Sequence, residues 1–199
     1  MGRKSIADIR KEEIIDAFFK VVAEKGLANA TIREIAEAAG CSQGMLHHYF
    51  ENKEAMVLGV VENVIASYTP EFEREISKYH SPTERMQFLF SWFLDTERFD
   101  LQFCRAWMEI WILAKTHPAI STALRSCYRV IRDVVAEIIR DGIRLGEFGK
   151  VDADIMANLI LGSIEGGTLL WVVDAEATPV SAVGEQRAKL FLHYLTGEV

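Results

Sequence analysis

Residues 30–56 read ATIREIAEAAGCSQGMLHHYFENKEAM, two short amphipathic segments that meet at Gly40 and Cys41. Thr31 and Glu34 stand at capping-box spacing, the hydroxyl accepting the N3 amide and the carboxylate reaching back to the cap. Ile32, Ile35, Ala36 and Ala39 then recur on one helical face until Gly40 supplies a stop. Ser42 caps the next helix, which ends before the turn signal at Asn52. Two short helices joined by so tight a connection predict a helix-turn-helix.

The second of these helices divides cleanly. At about 100° per residue, Gln43, Gly44, His47 and His48 share one arc, while Leu46, Tyr49 and Phe50 occupy the other. A recognition helix needs that division, because one face anchors on neighbouring helices and the other enters the major groove. Gln43 suits bidentate pairing with adenine, and Gly44 permits close approach to a base. Thr31, Ser42, His47, His48 and Tyr49 carry donors for phosphate oxygens, Lys53 adds a positive charge, and Arg33 reaches a guanine or the backbone. The adjacent histidines read otherwise as solvated surface; metal binding is disfavoured because neighbours at i, i+1 diverge.

Toward the N-terminus, Ser5 and Asp8 form another cap, after which Ile14, Ala17, Phe18, Val21 and Val22 share a stripe that stops at Gly26. Residues 1–53 therefore read as a three-helix DNA-binding domain. They carry eight Lys/Arg and eight Asp/Glu, so the whole net charge of −7 lies in residues 54–199. Arg3, Lys4, Arg10 and Lys11 face only Asp8 over eleven residues, an arm suited either to phosphates or simply to solvent.

Residues 54–199 also have helical periodicity, making the chain all-α with about nine helices. A long helix is predicted from Lys53 toward Ser67, with Pro70 kinking or interrupting it. Ser81, Pro82 and Glu84 start another, carrying Phe88, Leu89, Trp92 and Phe93. Further helices are expected over about 101–116, 119–145, 152–174 and 182–196. All four tryptophans, Trp92, Trp107, Trp111 and Trp171, fall in this part with Tyr128 and the acids Glu109, Glu165 and Asp174. Aromatic faces beside a carboxylate suit an organic cation or a mostly apolar molecule; for Trp107 and Trp111, four residues apart, core packing or interface anchoring is the more ordinary account. Glu165 is the more telling group, since a carboxylate in an apolar helix needs a partner, a ligand or water. Gly162, Gly166 and Gly167 on the same helix either admit a second helix closely or relieve crowding within one subunit. The last helix offers Ala188, Phe191, Leu192 and Leu195 as an apolar stripe.

Other classes fit less well. Cys41, Cys104 and Cys127 have neither a CxxC pairing nor metal-ligand spacing and read as buried hydrophobes in a reducing compartment. The polar start MGRKSIADIRKEE matches neither a signal peptide nor a myristoylation pattern, and the Asn158–Val173 run contains Glu165 and is short for a membrane span. A cytoplasmic protein with no membrane partner is expected. The alternative class is a small helical enzyme or binding protein acting on the ligand of the aromatic pocket, but no nucleophile, acid/base pair, metal set or cofactor motif is visible.

The stretch 30–56, with the first helix, resembles the N-terminal signature of the TetR family of bacterial regulators at Thr31, Ile35, Ala36, Ala39, Gly40, Ser42, Gly44, Tyr49, Phe50, Lys53 and Glu54. Cys41 replaces the usual Val, and His47 takes a place often filled by Tyr. The resemblance implies backbone positioning by Thr31, His47, His48, Tyr49 and Lys53, and base contact by Arg33, Gln43 and Gly44. Ala106, Trp107, Trp111, Pro118, Arg129 and Gly146-Glu147-Phe148 are similar to the C-terminal domain of the BetI-type subgroup, whose namesake responds to choline. It implies a C-terminal helical ligand-binding and dimerisation bundle, a homodimer through its last two helices, and a near-palindromic operator with recognition helices about 34–36 Å apart. A small-molecule effector lined by Trp92, Trp107, Trp111, Tyr128, Glu165 and Trp171 is expected to release the operator, the long helix from Lys53 carrying the signal.

Overall fold

The computed structural model describes residues 6–197, without the side chains of Ile6 and Asp8. Among these residues there are nine α-helices and no strand. They are α1 (Ile6–Lys25), α2 (Ile32–Ala38), α3 (Gln43–Tyr49), α4 (Lys53–Ile76), α5 (Pro82–Phe93), α6 (Leu101–Ala114), α7 (Pro118–Leu145), α8 (Ala153–Val173) and α9 (Val180–Thr196). Arg3 and Lys4 of the basic arm and Ser5 of the first cap lie outside the described residues.

Local signals explain most helix starts. The Thr31 hydroxyl accepts the Glu34 amide at 3.2 Å while the Glu34 carboxylate accepts the Thr31 amide at 3.0 Å, closing the capping box of α2. Ser81 and Glu84 do the same for α5, with Pro82 in its first turn. Ser42 caps α3 through the Met45 amide, and Asn52 caps α4 through the Ala55 amide. Asp152 caps α8 through the amides of Asp154 and Ile155.

Pro70 does not interrupt its helix: α4 continues to Ile76. An internal proline removes one backbone hydrogen bond. Beyond it, however, Ile76 is buried and Phe72 packs on the same core, and burying such side chains contributes about 1.5–3 kcal/mol each.

Two compact units make up the chain. The first comprises Met1–Val64 and Gln102–Leu124. Its interior includes Ile14, Phe18, Ile35, Leu46, Met56 and Val60, all without solvent exposure. The second comprises Ile65–Leu101 and Arg125–Val199, built on Met86, Leu89, Phe90, Ile138, Ile139, Ile160 and Leu195. In that unit α9 packs against α5 and α8. With residues 153–157 added to the apolar run, α8 is, among the described residues, the one helix long and apolar enough to cross a membrane by length and composition. Ala153, Met156, Ala157, Ile160, Leu161 and Ile164 form its buried face.

Candidate nucleic-acid interface and sensor residues

The connection between α2 and α3 turns on Gly40, whose φ of +63° lies in the left-handed region that glycine adopts without strain. The Cys41 amide then bonds back to the Ala36 carbonyl at 2.9 Å, tightening the corner. Leu46 is completely buried, whereas Gln43, Gly44, Met45, His47 and His48 are exposed and Tyr49 is half-buried. One face of α3 is thus fixed and the other is free to meet a groove. A second anchor is Phe50: a Cβ on Gly59 would fall 2.6 Å from its ring, so the missing side chain lets α4 lie against the end of α3. A Cβ on Gly44 would meet only the Ser42 hydroxyl, at 3.9 Å, leaving the outward space open.

Thr31 is exposed but its hydroxyl also donates to Glu34 at 2.8 Å. The Lys25 ammonium, 2.6 Å from Glu34, and these capping bonds hold the Glu34 carboxyl down to about 2. Arg33 is loosely paired with Glu37 at 3.7 Å and well exposed, hence able to swing toward a phosphate or base. Lys53 is placed otherwise. Its ammonium donates to the carbonyls of Leu27 and Ala30, the latter at 2.7 Å, and burial lowers its pKa. It ties the start of α4 to the α1–α2 turn.

Two further side chains brace this unit. Glu109 on α6, named above among acids near the tryptophans, accepts the Leu27 amide at 3.3 Å. The His117 imidazole lies 3.7 Å from Glu54 on α4. Trp107 is buried and stacks on Phe103, which stacks on Phe19, with centroids 5.7 and 5.0 Å apart. Trp107 and Trp111 therefore belong to the first unit, where Trp107 packs in the interior and Trp111 is 37 % exposed.

Trp92, Tyr128, Glu165 and Trp171 belong to the second unit. Within it, the Tyr128 hydroxyl donates to the Glu165 carboxylate at 2.9 Å. Burial raises the Glu165 pKa, against the opposing effect of that bond, and no cationic side chain among the described residues pairs with it. Its neighbour Cys127 is pushed up to about 11 by burial and by the Glu165 charge. Trp171, near the end of α8, is half-buried. The face of Trp92 already carries a cation: the Arg98 guanidinium sits 3.7 Å from the ring centroid. Neither Arg98 nor the Leu27 partner of Glu109 was visible as a signal, because both contacts depend on how distant segments fold together.

Along α8 an exposed stripe runs through Ile155, Leu159, Gly162, Gly166, Leu169, Leu170 and Val173, and α9 exposes Val183, Leu190 and Tyr194. A Cβ on Gly162 or Gly166 would meet nothing within 4 Å, so neither glycine relieves crowding within the subunit. Gly167 does, since a Cβ there would be 3.0 Å from an Arg187 nitrogen. Arg187 donates to the Ser163 carbonyl at 3.2 Å, yet its Nε is buried without a hydrogen-bond partner and burial lowers its pKa.

Among the described residues no group of three or more His, Cys, Asp or Glu side chains is placed to hold a metal ion. Cys41, Cys104 and Cys127 form no disulfide; Cys104 and Cys127 are buried and Cys41 is half-buried.

Residues 14–60 match the family model of bacterial regulatory proteins, tetR family, and residues 82–195 match that of the BetI-type transcriptional repressor, C-terminal. The HTH-type transcriptional regulator BetI of Brucella canis is 24% identical over 125 residues, covering 63% of this chain and 63% of that protein. The BetI of Stenotrophomonas maltophilia is 24% identical over 131 residues, covering 63% and 65% respectively. The matched region thus spans less than two thirds of the length of these relatives. A putative transcriptional regulator from Saccharomonospora viridis in complex with choline has a TM-score of 0.85 at 20% identity, covering 93% of this chain and 96% of that one. The regulator FadR from Bacillus subtilis in complex with stearoyl-CoA has a TM-score of 0.81 at 20% identity, covering 92% and 98%. At such identities these two likenesses establish the all-α fold.

Proposed function

The chain belongs to the TetR family, with a BetI-type C-terminal part, and from that premise we propose that it is a ligand-responsive, DNA-binding transcriptional regulator. The observation that carries this reading is the division of α3, with Leu46 buried beneath an exposed arc of Gln43, Gly44, His47 and His48. Gln43 reads a base edge, Gly44 admits close approach, and Arg33 contacts a base or the backbone. Thr31, Ser42, His47, His48 and Tyr49 position the phosphates. Lys53 contributes from behind, by holding α4 to the turn that precedes α2.

Residues 1–53 do the reading and residues 54–199 the sensing and dimerisation. The exposed apolar stripes of α8 and α9 support a homodimer, since patches of this kind mark protein contacts. A dimer on a near-palindrome, released by its effector, is the working arrangement, in the cytoplasm where the operator is. The effector is a small organic cation taken by Glu165 and Tyr128, because a half-buried carboxylate without a cationic partner is compensated by a cationic ligand. The choline held by the Saccharomonospora viridis regulator is of that class.

The test is selection of bound sequences from random duplex DNA by the full chain, followed by titration of the selected duplex. An inverted repeat is expected, with affinity reduced by choline. Equal binding to every duplex at moderate salt would overturn the regulator reading, whereas an operator insensitive to cations would overturn only the effector class.

A further inference from the structure

Trp92 lies in the last turn of α5, only 6 % exposed, with Phe72 edge-on at 5.3 Å and Phe88 at 5.8 Å. These rings fix the indole plane. Over it stands the Arg98 guanidinium, whose Nη2 meets Glu71 of α4 at 2.8 Å and whose Nη1 meets Asp95 at 2.9 Å. Asp95 is itself held, its other oxygen accepting the amides of Glu97 and Arg98 at 3.1 and 3.2 Å. An indole face with two carboxylates set around a planar cation is a guanidinium receptor, more selective than one for an ammonium because stacking and two-sided pairing both use the plane.

Two of the walls and the occupant differ in how they are anchored. Trp92 and Glu71 stand on helices, whereas Asp95 and Arg98 stand together on the short connection between α5 and α6. The Glu71 and Asp95 side chains are 37% and 36% exposed, so the box is open to water from the carboxylate side. Two carboxylates against one guanidinium also leave a negative balance.

We propose that Trp92, Glu71 and Asp95 form a second cation-binding site, for alkylguanidinium and amidinium ligands, whose occupant in this structure is the chain's own Arg98. The arginine is a tethered competitor, present at an effective concentration on the order of millimolar. A free cation that takes its place displaces the Arg98 side chain and bridges Glu71 to Asp95 in its stead. The proposal stands apart from the Glu165 effector reading.

The experiment is calorimetric titration of the full chain with methylguanidinium and with methylurea, its neutral counterpart, comparing wild type, R98A, R98A/E71Q and R98A/E165Q. R98A is expected to bind methylguanidinium at least about tenfold more tightly than wild type and to ignore methylurea. R98A/E71Q should lose most of that gain, and R98A/E165Q should keep it. Equal binding by wild type and R98A, an equal response to methylurea, or retention in R98A/E71Q would overturn the proposal. Loss in R98A/E165Q would overturn it too, by assigning the cation to Glu165. Should R98A be unfolded alone, recovery of its thermal transition with methylguanidinium but not methylurea is the expected result, and recovery with neither would overturn it.

Discussion

The ammonium of Lys53 donates to the carbonyl of Ala30 at 2.7 Å across 23 residues of sequence, and to Leu27 beside it. A lysine at the start of α4 thereby holds the turn that leads into α2. Lys53→Met is expected to lower the stability of the protein by about 1 kcal/mol, a figure kept small because water reaches the group. The salt dependence of operator binding should keep its slope, since the charge is engaged within the protein. A slope reduced by about one unit would instead make Lys53 a phosphate contact. Thermal melts and binding isotherms at several salt concentrations measure both.

Gln43 is the first residue of α3 and is exposed. Gln43→Ala should leave the melting temperature unchanged, cost about 1–3 kcal/mol in operator binding and relax the preference at one base position. Repeating the random-sequence selection with the variant checks it; an unchanged consensus would remove Gln43 from base readout.

Glu34 ties two signals together, its own capping box and the Lys25 ammonium. Its folded pKa of about 2 lies below the ordinary 4.5, so its charge stabilises the fold fully above 4.5 and is lost as pH falls through about 2. Glu34→Gln should therefore melt below wild type at neutral pH, and the difference should close between pH 4.5 and 2. A pH-independent gap would show that shape rather than charge matters there.

What could be read in advance divides by range. The boxes at Thr31/Glu34 and Ser81/Glu84 span three residues and bond as their spacing implies, so helix starts were legible. So was the split of α3, because Leu46 and Gln43 differ only in which side of one helix they take. That α4 is not interrupted at Pro70 lies outside the local rule for proline, because the packing of Phe72 and Ile76 beyond it is not local. The contacts of Glu109 with Leu27 and of Arg98 with Glu71 span 82 and 27 residues, and no periodicity encodes them. The aromatic pattern marks Trp92 as a partner for a cation, but Arg98, which sits over it, is six positions away on an irregular connection that no periodicity places.

Gly166 separates the two accounts of the glycines in α8. A side chain there meets open space in the single chain, so Gly166→Leu should leave the monomer's fold intact. In a dimer through α8 and α9 the same side chain overpacks the seam, at about 1–3 kcal/mol for each copy. Sedimentation is expected to show a dimer for wild type and a shift toward monomer for the variant. A variant that remains as dimeric as wild type would place the seam elsewhere.

Glu165 sets stability against sensing. Burial raises its folded pKa, so the folded state resists ionisation and loses stability as pH rises from the ordinary carboxylate value through the raised one. Glu165→Gln keeps an acceptor for the Tyr128 hydroxyl and removes the charge. The variant should melt above wild type at neutral pH, with the gap shrinking as pH falls and wild type becomes neutral as well. The same charge is what a cation uses, so wild type should bind choline more tightly as pH rises through the raised pKa, while the variant should show neither the affinity nor the pH dependence. The neutral isostere 3,3-dimethyl-1-butanol distinguishes charge from shape: a preference for choline of about tenfold is expected in wild type and none in Glu165→Gln. Tryptophan fluorescence titrations at two pH values measure all of this. If Glu165→Gln is more stable yet binds choline as wild type does, the carboxylate is a strained structural group and the cation is held by other residues.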